Sequence, residues 1–158
     1  MLTANQLQTL KTDLFVTRTN QVYLGKTFAS HISESNYNVL AEFYNSPTNP
    51  GRNIWKPDLK VSDLAPAIVM SAFVGLTAVK QNVYFVLTQG EYVDATNANI
   101  RTGFTTIFGA GATLNNLTAL AQRFATNFEF LFTTANVSSV YNYTLTENDI
   151  KEDIGSTL

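Results

Sequence analysis

The stretch Phe104 to Leu117, FTTIFGAGATLNNL, decides the fold of the second half of this chain, because its glycine pair is the one candidate for a phosphate-binding loop. Such a loop follows a strand, and its Walker form also needs lysine followed by serine or threonine. Here the preceding residues have helical spacing, and the stretch contains no lysine. The sequence therefore predicts a turn between two helices, with Gly109 closing the first helix in the left-handed conformation and Thr113 as the N-cap of the next.

Apolar residues on both sides of this turn recur with the spacing of a helix face. Before the turn, Ile100, Phe104 and Ile107 follow this spacing. After the turn, the same pattern predicts one core helix of about four turns from Thr113 onward. Its apolar face consists of Leu117, Leu120, Ala121, Phe124, Phe128 and Leu131.

Other parts of the chain also have helical patterns or helix-capping residues. In Thr77 to Gly90, the run VYFVL could equally form a buried strand, but the length and the flanking glycines favour a helix. Val22 to Ile32 has no clean period, which is typical of loop or short strand. The further predicted helices are Thr3 to Phe15, a helix containing Tyr37, Leu40, Ala41 and Tyr44, and Asp63 to about Phe73.

The pattern changes after Thr134. Val137 to Thr144 alternates loosely and is rich in β-branched and aromatic residues, which predicts a short strand or hairpin arm. Thr146 and Asp149 then have the spacing of a capping box and predict a short terminal helix. The predicted fold is mainly α, a single-domain helical bundle with a helical core domain at 1–136 and a C-terminal arm at 137–158 that contacts a partner or another subunit.

Composition restricts the classes of function. The chain has 158 residues, 45% of them hydrophobic, and a net charge of −2, which suits one domain that buries roughly 70% of its unfolded surface. No cysteine is present, so disulfides and thiolate metal sites are excluded. The ten Lys and Arg residues are scattered, which disfavours specific nucleic-acid binding. No signal peptide and no apolar run long enough for a membrane span is evident.

Two groups of residues are candidates for sites of chemistry. His31 is the single histidine and has no GxSxG nucleophile motif to accompany it, so a structural role is favoured. Glu147, Asp149, Glu152 and Asp153 form an acidic cluster that lacks the EF-hand pattern, which favours a solvated or partner-facing helix. The sequence therefore predicts no catalytic residue, no metal site and no cofactor, and hence a protein that is not an enzyme.

Only 14% of the residues are charged, and Asn, Thr and Ser cover much of the expected surface instead. This is typical of a subunit that packs against copies of itself. Trp55, between Arg52 and Lys56, is either a core anchor or an exposed interface aromatic. The candidate interface residues are Arg52, Trp55, Arg101, Arg123, Glu129, Tyr141 and Tyr143.

Several short motifs occur in a fixed order along the chain. They are Ala41-Glu-Phe-Tyr-Asn45, Ile54-Trp-Lys-Pro57, Gly75-Leu-Thr-Ala-Val-Lys80, Asn99-Ile-Arg101 before Phe104 to Phe108, Gln122-Arg-Phe-Ala-Thr126 with Glu129 and Phe132, and the closing segment Tyr141 to Ile154. This order resembles a family of small tailed-bacteriophage proteins encoded among virion-assembly genes. The similarity spans roughly residues 37 to 154, and residues 16 to 36 are longer than it leads us to expect, which makes them a candidate lineage-specific contact.

This resemblance implies a structural component of the virion, assembled in the host cytoplasm. The implied role is a neck, or head-to-tail connector, subunit that forms a homo-oligomeric ring between the portal and the tail or stopper proteins and surrounds the DNA channel. A capsid decoration protein or another tail protein is the alternative. A small enzyme using His31 or the acidic cluster, and a DNA-binding regulator built on the turn at Gly109 to Thr113, are the remaining hypotheses.

Overall fold

The computed structural model of the chain describes the backbone of residues 2 to 155 and the side chains of residues 2 to 152. The side chain of Asp153 in the acidic cluster therefore lies outside the described residues. Residues 156 to 158 of the predicted arm lie outside them entirely. The α-helices in the described part are α1 (Ala4–Thr12), α2 (Phe28–Ser33), α3 (Tyr37–Asn45), α4 (Leu64–Ala67), α5 (Met70–Val74), α6 (Ala78–Leu87), α7 (Ala98–Phe108), α8 (Ala112–Ala121), α9 (Asn127–Leu131) and α10 (Glu147–Gly155).

The strands are short and pair as β1–β2, β3–β6, β4–β5 and β7–β8, which gives four two-stranded sheets in the part of the chain that the structure describes. The mainly helical character predicted from the sequence is confirmed, but these sheets make the structure a mixed α and β one and not a pure helical bundle. The strands are β1 (Val22–Tyr23), β2 (Lys26–Thr27), β3 (Asn53–Trp55), β4 (Leu59–Lys60), β5 (Tyr92–Val93), β6 (Gln122–Phe124), β7 (Thr133–Thr134) and β8 (Val137–Ser138).

The chain forms two compact units. The first unit consists of Met1–Arg52 and Phe124–Leu158, and the second consists of Asn53–Arg123, which lies between these two segments in sequence. This division differs from the predicted one, because neither crossing between the units falls at the predicted boundary of 136 and 137.

The first unit has a core of aliphatic side chains around a series of edge-to-face aromatic rings. Tyr44 is fully buried, and its ring packs against Phe28, Phe43 and Phe128 at centroid separations of 6.2, 5.4 and 6.5 Å. Its hydroxyl donates a 2.7 Å hydrogen bond to Oδ2 of buried Asp13. The hydroxyl of this core residue therefore has a hydrogen-bond partner, as burial requires.

The described part of the predicted C-terminal arm belongs to this core. Val140, Leu145 and Ile150 are buried in it, and the side chain of Asn45 holds Leu145 by both of its backbone groups, at 2.7 and 2.8 Å. A hairpin is formed by β7 and β8, turned by Ala135 and Asn136, which both have positive φ. It lies earlier than predicted, because only Val137 and Ser138 of the stretch Val137 to Thr144 are in a strand. The predicted capping box at Thr146 and Asp149 is confirmed by hydrogen bonds of 2.7 and 3.2 Å.

Glu129 is fully buried in the first unit and organises its second segment. One carboxylate oxygen accepts from the N–H of Thr126 at 3.0 Å, which completes a capping box for α9. The other oxygen accepts from the N–H of Asn142 at 2.7 Å, and Asn142 has a positive φ. A single buried carboxylate thus fixes both the start of α9 and the loop that leads to α10.

The second unit contains α4 to α8 around a separate apolar core. Half-buried Tyr84 of α6 packs against this core, with edge-to-face ring contacts to Phe73, Phe104 and Phe108 at 5.2, 6.3 and 6.1 Å. The helix predicted at Thr77 to Gly90 is confirmed as α6, and the helix predicted at Asp63 to Phe73 is present as two short helices, α4 and α5.

The turn after α7 is confirmed as a helix–helix connection, with Gly109 at φ +65°. The predicted N-cap is wrong, because the N-cap of α8 is Gly111 and Thr113 lies inside the helix. The hydroxyl of Thr113 is instead buried and accepts a 3.1 Å hydrogen bond from the N–H of Val69. That hydroxyl fixes the start of α5 and cannot cap its own helix.

The long core helix predicted from Thr113 to Leu131 is also wrong in its second half. α8 ends at Ala121, and the next residues form β6, which pairs with β3. Phe124 is 60% exposed and so does not extend the apolar face of α8. Strand pairing gives the backbone of β6 its hydrogen-bond partners, and this overrides the helical spacing of the side chains.

We expect Glu129→Gln to destabilise the first unit by about 1 to 3 kcal/mol, because it directs an amide NH2 group at a backbone N–H and leaves a buried donor without an acceptor. Native-state hydrogen exchange should show lost protection at the amides of Thr126 and Asn142. The matched control is Glu147→Gln, an exposed carboxylate on α10, which should change stability by less than about 1 kcal/mol. Equal effects of the two substitutions would contradict the role of Glu129.

Candidate functional site

Two of the predicted interface residues meet in the second unit. Trp55 lies at the end of β3 and Arg101 lies in the first half of α7, and the guanidinium carbon of Arg101 is 4.9 Å from the centroid of the Trp55 ring. Both side chains are half-buried. The Arg101 Nη1 also donates 2.7 Å hydrogen bonds to the carbonyl oxygens of Ala95 and Thr96. These contacts fix the guanidinium in one orientation.

Trp55 and Arg101 line a cavity of about 220 Å³. The floor of this cavity is apolar and buried, and its exposed or half-buried polar lining residues are Arg101, Thr105 and Thr118. The buried lining residues are Leu59, Leu64, Val93, Ala95, Phe104, Leu117 and Ala121. An apolar floor with a few polar groups at the edge is the usual composition of a small-molecule site.

A second feature of this unit is an apolar surface formed by α5 and α6. Val79, Val83 and Val86 follow the spacing of one helix face, and that face is turned to solvent, with Val79 71% and Val86 63% exposed. Met70 and Val74, one turn apart on α5, are 66% and 70% exposed. We call these five side chains the apolar face.

The two helices of the apolar face are linked to each other. Phe73 of α5 packs edge-to-face on Phe85 of α6 at 6.1 Å, and the side-chain amide of Gln81 donates to the carbonyl of Phe73 at 3.3 Å. Lys80 is the only charged residue in the segment 70–87, and its Nζ donates to the carbonyl oxygen of Ile107 on α7 at 3.1 Å. Lys80 is not one of the five side chains of the apolar face, so the face carries no charge.

The other candidate residues occupy different places in the chain. Arg52 is exposed in the first unit, with its guanidinium carbon 3.8 Å from the centroid of the Phe130 ring. Arg123 is half-buried in the middle of β6, and Tyr141 is half-buried between β8 and α10. Glu129 is buried inside the first unit, where it fixes the local backbone. None of these four residues lines the cavity beside Trp55.

Tyr143 completes a polar cluster at the start of α10. Its hydroxyl donates to Oδ1 of Asp149 at 3.0 Å. Partial burial, together with the hydrogen bond and charge of Asp149, raises the pKa of Tyr143. Burial acts to raise the pKa of Asp149 as well, but hydrogen bonds from the hydroxyl and N–H of Thr146 and from Tyr143 outweigh it, and the pKa of Asp149 is lowered. This cluster is a helix cap.

His31 is buried in the first unit. Its Nε2 lies 2.9 Å from the carbonyl oxygen of Tyr23 and therefore donates to it, which ties α2 to β1. Among residues 2 to 152, no group of three or more His, Asp or Glu side chains is placed to hold a metal ion. No described helix has the length and apolarity required to cross a membrane.

The sequence predicted the helix that carries the valines but not the direction in which they point. The sequence signal was that α6, AVKQNVYFVL, has apolar residues on two sides, since Tyr84 packs against the core while the valines face solvent. A short helix of this kind is either enclosed in a core or covers part of an interface.

Comparison with protein-family models, curated proteins and solved structures finds no match to this chain.

We expect Asp149→Asn to weaken α10 in a pH-dependent manner. Because the folded-state pKa of Asp149 is lowered, its stabilising effect is present above the unfolded pKa of about 3.9 and is lost as the pH falls through the folded value. Chemical denaturation should therefore show wild type more stable than the variant at pH 7, with a difference that shrinks below about pH 4.

The control for this pH series is Glu152→Gln, an exposed carboxylate on the same helix. It should remain close to wild type at pH 7. A constant difference between wild type and Asp149→Asn from pH 7 to pH 3 would contradict a charge-dependent cap.

Proposed function

We propose that this protein is a structural subunit of a tailed-phage virion that assembles with copies of itself through the apolar face of the second unit. Within the virion we assign it to the neck, as a connector ring between the portal and the tail. The observation that carries the assembly is the outward-facing valine row of α6, and the resemblance of the sequence motifs to phage virion-assembly proteins supports the place of assembly.

The size of the apolar face supports a protein partner. The exposed surface of its five residues sums to roughly 500 Å², which is more than half of the ~800 Å² per partner of a stable interface. Covering it with another chain removes this surface from water, and with no charge on the face, burial desolvates no ion.

A second copy is the occupant we favour, because the chain carries a second group of exposed apolar side chains. Val16, Val22 and Leu24 of the first unit are 72%, 62% and 66% exposed. A ring needs a head-to-tail contact between two different surfaces of the same chain, whereas a two-fold dimer needs only one. The exposed apolar side chains on both units meet this requirement. Val16, Val22 and Leu24 also lie in residues 16 to 36, which the sequence analysis identified as a candidate contact.

Replacing Val79 and Val86 together by aspartate should abolish self-association, because both charges would have to be buried in the contact. Light scattering after gel filtration should show wild type shifting to larger species as concentration rises and the variant remaining monomeric. The matched control is Thr102→Asp with Thr106→Asp, an exposed pair one turn apart on α7. A wild-type chain that stays monomeric at millimolar concentration would contradict the proposal.

Copy number in purified particles distinguishes a connector from the alternative of a decoration or tail protein. Quantitative mass spectrometry against the major capsid protein should give about a dozen copies for a single ring. Hundreds of copies would replace the connector assignment by decoration or tail tube, and a complete absence from particles would remove the virion role.

A further inference from the structure

The cavity beside Trp55 is distinct from the apolar face in its residues and in its chemistry. The apolar face carries no charge, whereas Arg101 is one of the residues that line the cavity. Assembly through α5 and α6 uses no residue that lines this cavity, so the cavity is not explained by the proposed function.

Within the described part of the chain, Arg101 is held by neutral groups. Its Nη1 is engaged by the two carbonyl oxygens of Ala95 and Thr96, and its guanidinium carbon is 4.9 Å from the centroid of the Trp55 ring. Among the described side chains, no carboxylate forms an ion pair with it. The nearby Asp94 is engaged with Thr96 at 2.8 and 2.5 Å. A half-buried guanidinium without a carboxylate partner can form strong, charge-assisted hydrogen bonds with an anionic ligand.

The rest of the cavity selects the remainder of the ligand. Leu59, Leu64 and Leu117 contribute a buried aliphatic floor. The hydrophobic effect favours contact of this floor with the hydrocarbon part of a ligand over contact with water. An apolar cavity of about 150 Å³ holds benzene, so the larger cavity here accommodates a chain of about eight carbons.

We propose that this cavity binds a small amphipathic carboxylate, whose hydrocarbon part lies on the leucine floor and whose carboxylate pairs with Arg101. The Thr118 side chain supplies a hydroxyl to the cavity lining, whereas the hydroxyl of Thr105 donates to the carbonyl oxygen of Arg101 at 3.0 Å. The proposal concerns the second unit alone, and its test is independent of oligomeric state and of virion assembly.

The position of Trp55 supplies the measurement, because it is the only tryptophan in the chain and lines the cavity. Octanoate is the probe, and it should change the intrinsic fluorescence in a saturable manner. In a two-dimensional NMR spectrum, it should shift the amide signals of Leu117, Thr118 and Thr105 together. 1-Octanol, which has the same chain without the charge, should bind roughly tenfold more weakly, because it lacks the charge-assisted hydrogen bond to Arg101.

Two substitutions should separate the roles of charge and cavity. Arg101→Gln should weaken octanoate binding roughly tenfold and leave octanol binding nearly unchanged. Thr118→Phe, which fills the edge of the cavity and leaves its floor intact, should weaken both ligands. The matched arginine control is Arg52→Gln in the first unit, which should bind both ligands as wild type does. Circular dichroism confirms that each variant is folded.

The comparison of octanoate with octanol on the wild-type chain needs no substitution, so the proposal stays testable if a variant fails to fold. Absence of a saturable change in both fluorescence and NMR spectra would overturn it. Equal affinity of wild type for octanoate and octanol would also overturn it, since the cavity would then be an apolar packing gap in which Arg101 has no part.

Discussion

The buried carboxylate of Glu129 is the interaction on which the second segment of the first unit depends. It accepts from the N–H of Thr126 at the start of α9 and from the N–H of Asn142 in the following loop. A carboxylate in an apolar interior is costly unless hydrogen bonds satisfy it. Because both donors are backbone groups, the carboxylate constrains the path of the chain, and this path places Leu145 against Asn45 and Ile150 in the core.

The second unit depends on a different constraint, which is a helix with two apolar faces. Tyr84 packs α6 against the core, and Val79 and Val86, on the side of the helix away from Tyr84, remain in contact with water. Only the Tyr84 side of this ten-residue helix is packed inside, because no described part of the unit covers the valines. The packing of α6 against the core and the exposure of its valines therefore have the same cause, which is the distribution of apolar residues around this helix.

Local signals predicted the elements that local interactions form. The helices at the N-terminus, at Tyr37 to Tyr44 and after Thr77, and the cap at Thr146, could be read from spacing alone. The helix predicted to continue past Ala121 failed, because β6 pairs with a strand far away in sequence; the capping box at Thr126 and Glu129 was a readable sign of a new helix start. The proximity of Trp55 and Arg101 could not be predicted, because it depends on where β3 and α7 lie in the folded unit.

The order of segments along the chain also affects how the protein is made. The first unit combines residues that leave the ribosome early with residues that leave it late, and the whole second unit is synthesised between them. Leu10, Phe28 and Tyr44 therefore remain without their core neighbours Phe128 and Ile150 until the segment after the second unit has emerged. The residues of the second unit are continuous, so this unit can form its native contacts before the first unit does. Until the first unit is complete, the apolar side chains of its early segment are exposed to aggregation.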